Sequence, residues 1–294
     1  MNNYKIDELR EYIENSEVIK INGDLNIRLS KELLYNYESG LYDKGIENII
    51  FAIDEIKSLN IIYPSNAKPV YYVYIVPDDR FVKLLNFPSN RSTKGGGKIV
   101  KCYDLDGFNS AYGVSSNIMM KQGVTNIMEK VNDIHELAHM VHNMFYSRDR
   151  YLCEGFAELF PFYILDYEKK FKQHREVILS LSENDILTVQ ELLELENKNK
   201  FAGSPLLPNA SCSFDKAYIS SYLFVKGCIN IIEEKYKLNK YEAMYKFLEI
   251  VGNSKYCHQL LVFDIAKYLG VDNEDALKEK VIQYKAITNL LNEK

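Results

Sequence analysis

The sequence predicts an α+β fold: a strand-rich N-terminal lobe, two helices that carry a chemistry-bearing motif, and a helical C-terminal lobe. Three observations predict it. The run Val70-Tyr71-Tyr72-Val73-Tyr74-Ile75-Val76 is β-branched or aromatic throughout, the composition of a buried strand. Val18-Ile19-Lys20-Ile21 and residues 24–29 flank Asn22-Gly23, a pair suited to the positive φ angles of a tight hairpin turn. From residue 125 onward, segment after segment places apolar residues at helical spacing.

The bulk numbers bound the problem. The chain has 294 residues, 47% hydrophobic and 26% charged, which suits one large domain or two sublobes around a sizeable core. A net charge of −5 offers no broad basic surface for nucleic acid. Five scattered cysteines without C-x-x-C spacing read as buried thiols in a reducing compartment. The first residues are polar, with no apolar core of a signal peptide, and no run approaches the ~18 apolar residues of a membrane span. The expectation is a cytosolic protein without a membrane partner.

Taken in order, residues 5–16 read as a short polar helix, followed by the hairpin. Residues 42–59 read as a helix, because Ile46, Ile49, Ile50, Ile53 and Ile56 recur on one face. Two prolines, Pro64 and Pro69, break the chain before the 70–76 strand, and a helix is expected over 78–85. Residues 86–98 carry Gly95-Gly96-Gly97 between lysines; this stretch lacks the P-loop pattern and reads as a surface loop. Strands are expected over 99–105 and 112–120, and the second leads into a helix over 125–145 with Thr125 as its N-cap. A further helix over 151–160 is expected to end or kink at Pro161, with more helix to about residue 174. Helices are then expected over 188–196, 216–235, 240–251, 260–269 and 274–291. The organisation expected is an N-terminal region 1–65, a lobe 66–200 and a helical lobe 201–294.

Within 125–145 lies His135-Glu136-Leu137-Ala138-His139, an H-E-x-x-H sequence. Histidines four apart on a helix stand about one turn from each other on one face, so their imidazoles can hold one zinc ion. The glutamate beside them can take a proton from an activated water. Ile127, Val131, Ile134, Ala138, Val141 and Phe145 form the apolar stripe of this helix. His135 and His139 each follow a stripe residue by one position, which puts them at the edge of the buried face, where a cleft can open.

Zinc needs a third protein ligand. His142 stands seven residues from His135, roughly 10 Å along the axis, too far to share the ion; it reads as a helix-surface or supporting residue. The metzincin pattern would need a glycine at position 142 and a histidine at 145, and the chain has His142 and Phe145. The acids Glu154 and Glu158, four apart on the next helix, share one face. One can bind the metal while the other supports a ligating histidine.

These residues resemble the gluzincin metallopeptidases, whose pattern is HExxH on one helix and a ligating glutamate on the next. The run Glu154-Gly155-Phe156-Ala157-Glu158 looks like the second-helix motif of the aminopeptidase N-like branch and its small relatives. Thermolysin-like enzymes likewise carry a supporting acid four residues after the ligand. The resemblance implies a zincin-like fold, with His135, His139 and Glu154 as zinc ligands and Glu158 in support. The aminopeptidase N-like spacing between second histidine and ligand lands instead on Glu158; the motif is preferred, because inter-helix loops change length more readily than helix faces change. Residues 217–224 (AYISSYLF) resemble the families' helix start where a tyrosine donates to the oxyanion. That assigns the role to Tyr218, with Tyr222 next.

The expectation is zinc-dependent hydrolysis of a peptide or protein substrate in a cleft between the two lobes, with Glu136 and Tyr218 as catalytic residues. A strand near 114–120 could pair with extended substrate backbone. The aminopeptidase branch carries a G-x-M-E-N segment; the nearest analogue, Gly113-Val114-Ser115-Ser116-Asn117, has no glutamate, which favours an endopeptidase. Two other readings share these residues: an inactive zinc-binding scaffold that presents its helical lobe to a partner, and a zinc hydrolase of a non-peptide amide.

Overall fold

The computed structural model describes residues 17–22, 25–29, 34–40, 43–64, 70–76, 97–103, 112–116, 126–145, 149–165, 186–197 and 214–253. The helices expected over 5–16, 78–85, 260–269 and 274–291, the Thr125 cap and the triple-glycine loop lie outside them, apart from Gly97 at the start of a strand. The elements run β1 (Glu17–Asn22), β2 (Leu25–Leu29), α1 (Leu34–Glu38), α2 (Asp43–Ser58), β3 (Val70–Val76), β4 (Gly97–Tyr103) and β5 (Tyr112–Ser116). They continue as α3 (Asn126–Phe145), α4 (Arg150–Leu165), α5 (Val189–Asn197), α6 (Phe214–Tyr236) and α7 (Lys240–Asn253). No helix among the described residues is long and apolar enough to cross a membrane.

The backbone pairs the strands in chain order. β1 and β2 are antiparallel, Ile19 facing Ile27, with a register irregularity between Lys20 and Asn22. β2 and β3 are parallel, Ile27 beside Val73, which requires a crossover; α1 and α2 lie within it. β3 with β4 and β4 with β5 are antiparallel, so β5 is last in the order among the described strands.

The expected class, α+β with a strand-rich N-terminal lobe, is overturned. Of the residues whose side chains are described, 84% are helical. Among the described side chains before residue 141, the buried apolar ones are Ile49, Ala52, Ile53 and Ile56 of α2, Ile134, Leu137 and Ala138 of α3, and Leu25 and Ile27 of β2. The physical reason lies in segment length. The strands are five to seven residues long, whereas an apolar stripe recurs along 16 residues in α2 and 20 in α3, so helices make up most of the described length.

The chain divides into two compact units, 1–140 and 141–294, with the cut falling inside α3. In the first, Lys130 of α3 sits 4.1 Å from the centre of the Phe51 ring of α2. In the second, α4 is the central helix. Its buried residues, Tyr151, Leu152, Phe156, Ala157, Leu159, Phe160, Phe162 and Tyr163 among them, go nearly all round, as an interior helix requires. α4 runs unbroken through Pro161 to Leu165. Proline removes one backbone bond and costs ~3 kcal/mol in a helix interior, whereas burying a large apolar side chain returns ~1.5–3 kcal/mol each. Phe162 and Tyr163, both buried just beyond it, outweigh the loss.

The main partner of α4 is α6. Tyr151 meets Phe224 with ring centres 5.7 Å apart, and Phe162 meets Tyr222 at 5.4 Å. Buried Cys228 lies in the same interface helix as a thiol. α5 begins with a reciprocal cap: the Glu191 N–H donates to Thr188 Oγ1 at 3.1 Å, and the Thr188 N–H donates to Glu191 Oε2 at 2.7 Å. The segment before it is tied to α6 where the Leu187 N–H donates to Ser220 Oγ at 2.8 Å. α6 ends with Lys237 at φ 54°, in the left-handed region, and the Leu238 N–H reaching the Glu233 carbonyl. Asn239 then caps α7 through its Oδ1, which accepts from the Tyr241 and Glu242 N–H groups at 3.0 Å each.

Candidate metal centre

His135 and His139 lie half-buried on α3, beside the fully buried Ile134, Leu137 and Ala138. That is the edge position expected from the stripe. Their rings meet edge to face with centres 5.1 Å apart. Glu154 is 9% exposed on the first turns of α4. One ligand atom from each of His135, His139 and Glu154 lies within 4.8 Å of the others. Ligands of a tetrahedral zinc, each about 2.1 Å from the ion, stand roughly 3.4 Å apart. The three atoms are near enough that they could close on one ion, and the donor set, two imidazoles and one carboxylate, is chemically suited to zinc.

Glu158, four residues on, is half-buried and is not a member of this group. Glu136 is half-buried on α3. His142, expected at the helix surface or in support, is buried: 2% exposed, its ring edge-on to Phe156 at 6.2 Å. Phe156, itself fully buried on α4, shields that ring from water. Tyr222, the alternative to Tyr218, is 1% exposed and packed on Phe162, a core residue.

Tyr218 sits beside Glu154. Its hydroxyl donates to the Glu154 carboxylate and also meets the Arg150 guanidinium. Burial first, and then the Glu154 charge, push its pKa far above the phenol range, with Arg150 opposing; the hydroxyl keeps its proton. The approach of α6 that brings Tyr218 here depends on Gly155. A Cβ at that position would stand 2.3 Å from the Ser221 carbonyl oxygen. The glycine of the E-G-F-A-E run thus lets two helix backbones touch.

Two residues of this neighbourhood escaped the sequence reading. Arg150 Nε stands 3.4 Å from Glu154 Oε1 as an i,i+4 pair on α4. Four-residue spacing of opposite charges was the available signal. Glu196, from the end of α5, accepts the Arg150 backbone N–H through Oε1 at 2.8 Å, and so caps α4 from a distant segment. Nothing local in sequence marks such a cap.

Burial raises the Glu196 pKa above the ordinary 4.5, opposed by the Arg150 and Tyr151 N–H groups and the Arg150 charge. The folded state thus holds this proton to higher pH than the unfolded chain does. The associated stability is present below the ordinary value and is lost as pH rises through the folded one. Glu196→Gln should flatten that loss: thermal unfolding followed from pH 4 upward, at ~1-unit steps, should show the wild type falling relative to the variant. Parallel curves would contradict the assignment.

No family model, no curated protein and no solved structure matches this chain.

Proposed function

We propose that this chain is a zinc-dependent metallopeptidase of gluzincin type, an endopeptidase acting on a peptide or protein substrate. The observation that carries the reading is the convergence of His135, His139 and Glu154 within 4.8 Å, two of them flanking Glu136 in H-E-x-x-H. The three would hold the ion; when bound, zinc would lower the pKa of a water and polarise a carbonyl.

The chain's own groups supply the rest. Glu136, one residue from His135, takes a proton from the attacking water and delivers it to the leaving amine. Tyr218, kept neutral by burial and the Glu154 charge, donates to the carbonyl oxygen as negative charge develops. Glu158, one turn beyond Glu154, is a support for a ligating histidine's far nitrogen. Among the described strands β5 is last in order, and an extended peptide could add beside it as a further strand. Peptide chemistry is preferred to other amides on that ground, and the G-V-S-S-N segment without a glutamate favours internal cleavage.

The test is cleavage of a mixed peptide library by the zinc-loaded protein and by Glu136→Gln. The variant is expected to keep zinc and lose activity by about 10²–10⁴-fold. Zinc bound in both with no difference in cleavage would sink the peptidase reading in favour of a scaffold. Hydrolysis of N-acyl amides alone would move the substrate class.

A further inference from the structure

We propose that α5 is a brace between α4 and α6, with Glu196 and Ser220 as the positioning residues that set Glu154 and Tyr218 at their working distance. The inference rests on the peptidase reading above and deepens it: Glu154 is there the metal ligand on α4, and Tyr218 the oxyanion donor on α6. The two helices come together where Gly155 meets the Ser221 carbonyl. Ring contacts of Tyr151 with Phe224 and of Phe162 with Tyr222 add to the joint. Apolar burial is non-directional, so it draws the helices together without fixing the angle between them.

Directional bonds close the circuit through α5. At its front, the Leu187 N–H donates to Ser220 Oγ at 2.8 Å, and Ser220, 1% exposed, stands two residues beyond Tyr218. At its rear, Glu196 Oε1 accepts the Arg150 N–H at 2.8 Å, where α4 opens four residues before Glu154. Between these ends α5 is stiff. The Thr188–Glu191 cap holds its first turn, and buried Val189 and Leu192 seat it. Glu196 stands nine positions after Leu187, roughly 13 Å along a helix. A rod of fixed length tied to both helices stops them pivoting about the Gly155 contact. A shift of ~1 Å at a reacting group can cost ~100-fold in rate, which is why the tie bears on chemistry.

A brace fails when either end is freed, and that separates it from two independent bonds. Groups more than ~7–10 Å apart ordinarily contribute independently, so unrelated losses at the two ends would multiply. In the zinc-loaded protein, Glu196→Ala and Ser220→Ala are each expected to lower kcat by ~10-fold with KM little changed. The double variant should fall no further than the worse single, because a brace already freed sets nothing. Glu196→Gln keeps a carbonyl oxygen for the Arg150 N–H and should recover most of the rate lost in Glu196→Ala. Melting temperatures taken beside the rates should drop additively, since each lost bond destabilises by itself; a merely structural role would give kcat the same pattern. Hydrogen exchange reads the brace without substrate: Ser220→Ala should speed exchange of the Arg150 amide, at the end the substitution does not touch.

Multiplicative kcat losses, or exchange that quickens only beside each substitution, would overturn the brace. Far-end exchange coupling in a protein whose cleavage is untouched by Glu136→Gln would overturn the peptidase reading and leave the brace standing, so the two failures are separated.

Discussion

Glu154→Gln is expected to emerge from purification with little or no zinc, while Glu158→Gln keeps most of it. The amide removes the negative charge and one good donor oxygen from a set of three, leaving two imidazoles and a neutral carbonyl. Changing a residue that merely supports a ligand typically costs 10–100-fold in metal affinity, and loss of an anionic ligand should exceed the upper figure, at least ~10²-fold. Glu158 is half-buried and outside the convergent group, so its amide should cost no more than ~10-fold. Metal content by mass spectrometry of both purified variants decides. Full zinc in Glu154→Gln, or loss confined to Glu158→Gln, would restore the spacing argument over the motif. Glu154→Gln also strips Arg150 and Tyr218 of their shared carboxylate, so its melting temperature should be recorded beside the metal content.

How far the candidate centre could be read from sequence follows from how local each part is. His135 and His139 need only one helix and a four-residue step, and that step survives any tertiary arrangement. Glu154 needed a second helix and a motif. Tyr218, 64 positions beyond Glu154, needed a resemblance, because no periodicity in the chain announces that α6 will cross α4. The crossing is written in Gly155, but only the facing Ser221 carbonyl gives that glycine its meaning. Arg150 was legible as an i,i+4 partner and was passed over; Glu196 was not legible, since a cap from 46 residues away leaves no local trace. The fold class failed for a different reason. The expectation rested on a few short β-branched runs, whereas 84% of the residues whose side chains are described are helical. Of the two outcomes expected at Pro161, an end or a kink, the helix does not end there, because the buried aromatics on either side hold the segment in place.

Gly155→Ala should be the most damaging single-methyl change in the described part of the chain. Alanine is the better helix former, and in an open helix the exchange would stabilise by about 1 kcal/mol. Here the new Cβ would stand 2.3 Å from the Ser221 carbonyl oxygen, 2.6 Å from its carbon and 2.9 Å from Val225 Cγ2. Two of these are backbone atoms of a buried helix, so neither can rotate away; α4 and α6 must separate. Overpacking of this kind costs ~1–3 kcal/mol and sometimes more, so the upper end prevails over the propensity gain and a net loss of ~2 kcal/mol is expected. Gly252→Ala is the internal comparison. Its Cβ would meet the Phe145 carbonyl oxygen at 2.9 Å, a milder intrusion, near the end of α7. Urea unfolding should therefore rank wild type above Gly252→Ala, and Gly252→Ala above Gly155→Ala. The larger change should also reach the centre, because separating α4 from α6 draws Tyr218 off Glu154. Activity measured well below the melting temperature should fall in Gly155→Ala with zinc content less affected, since Arg150 and Glu154 share α4 and move together. A Gly155→Ala protein as stable as wild type would mean that the two helices have slack at this crossing, and that the E-G-F-A-E glycine serves some other end than their close approach.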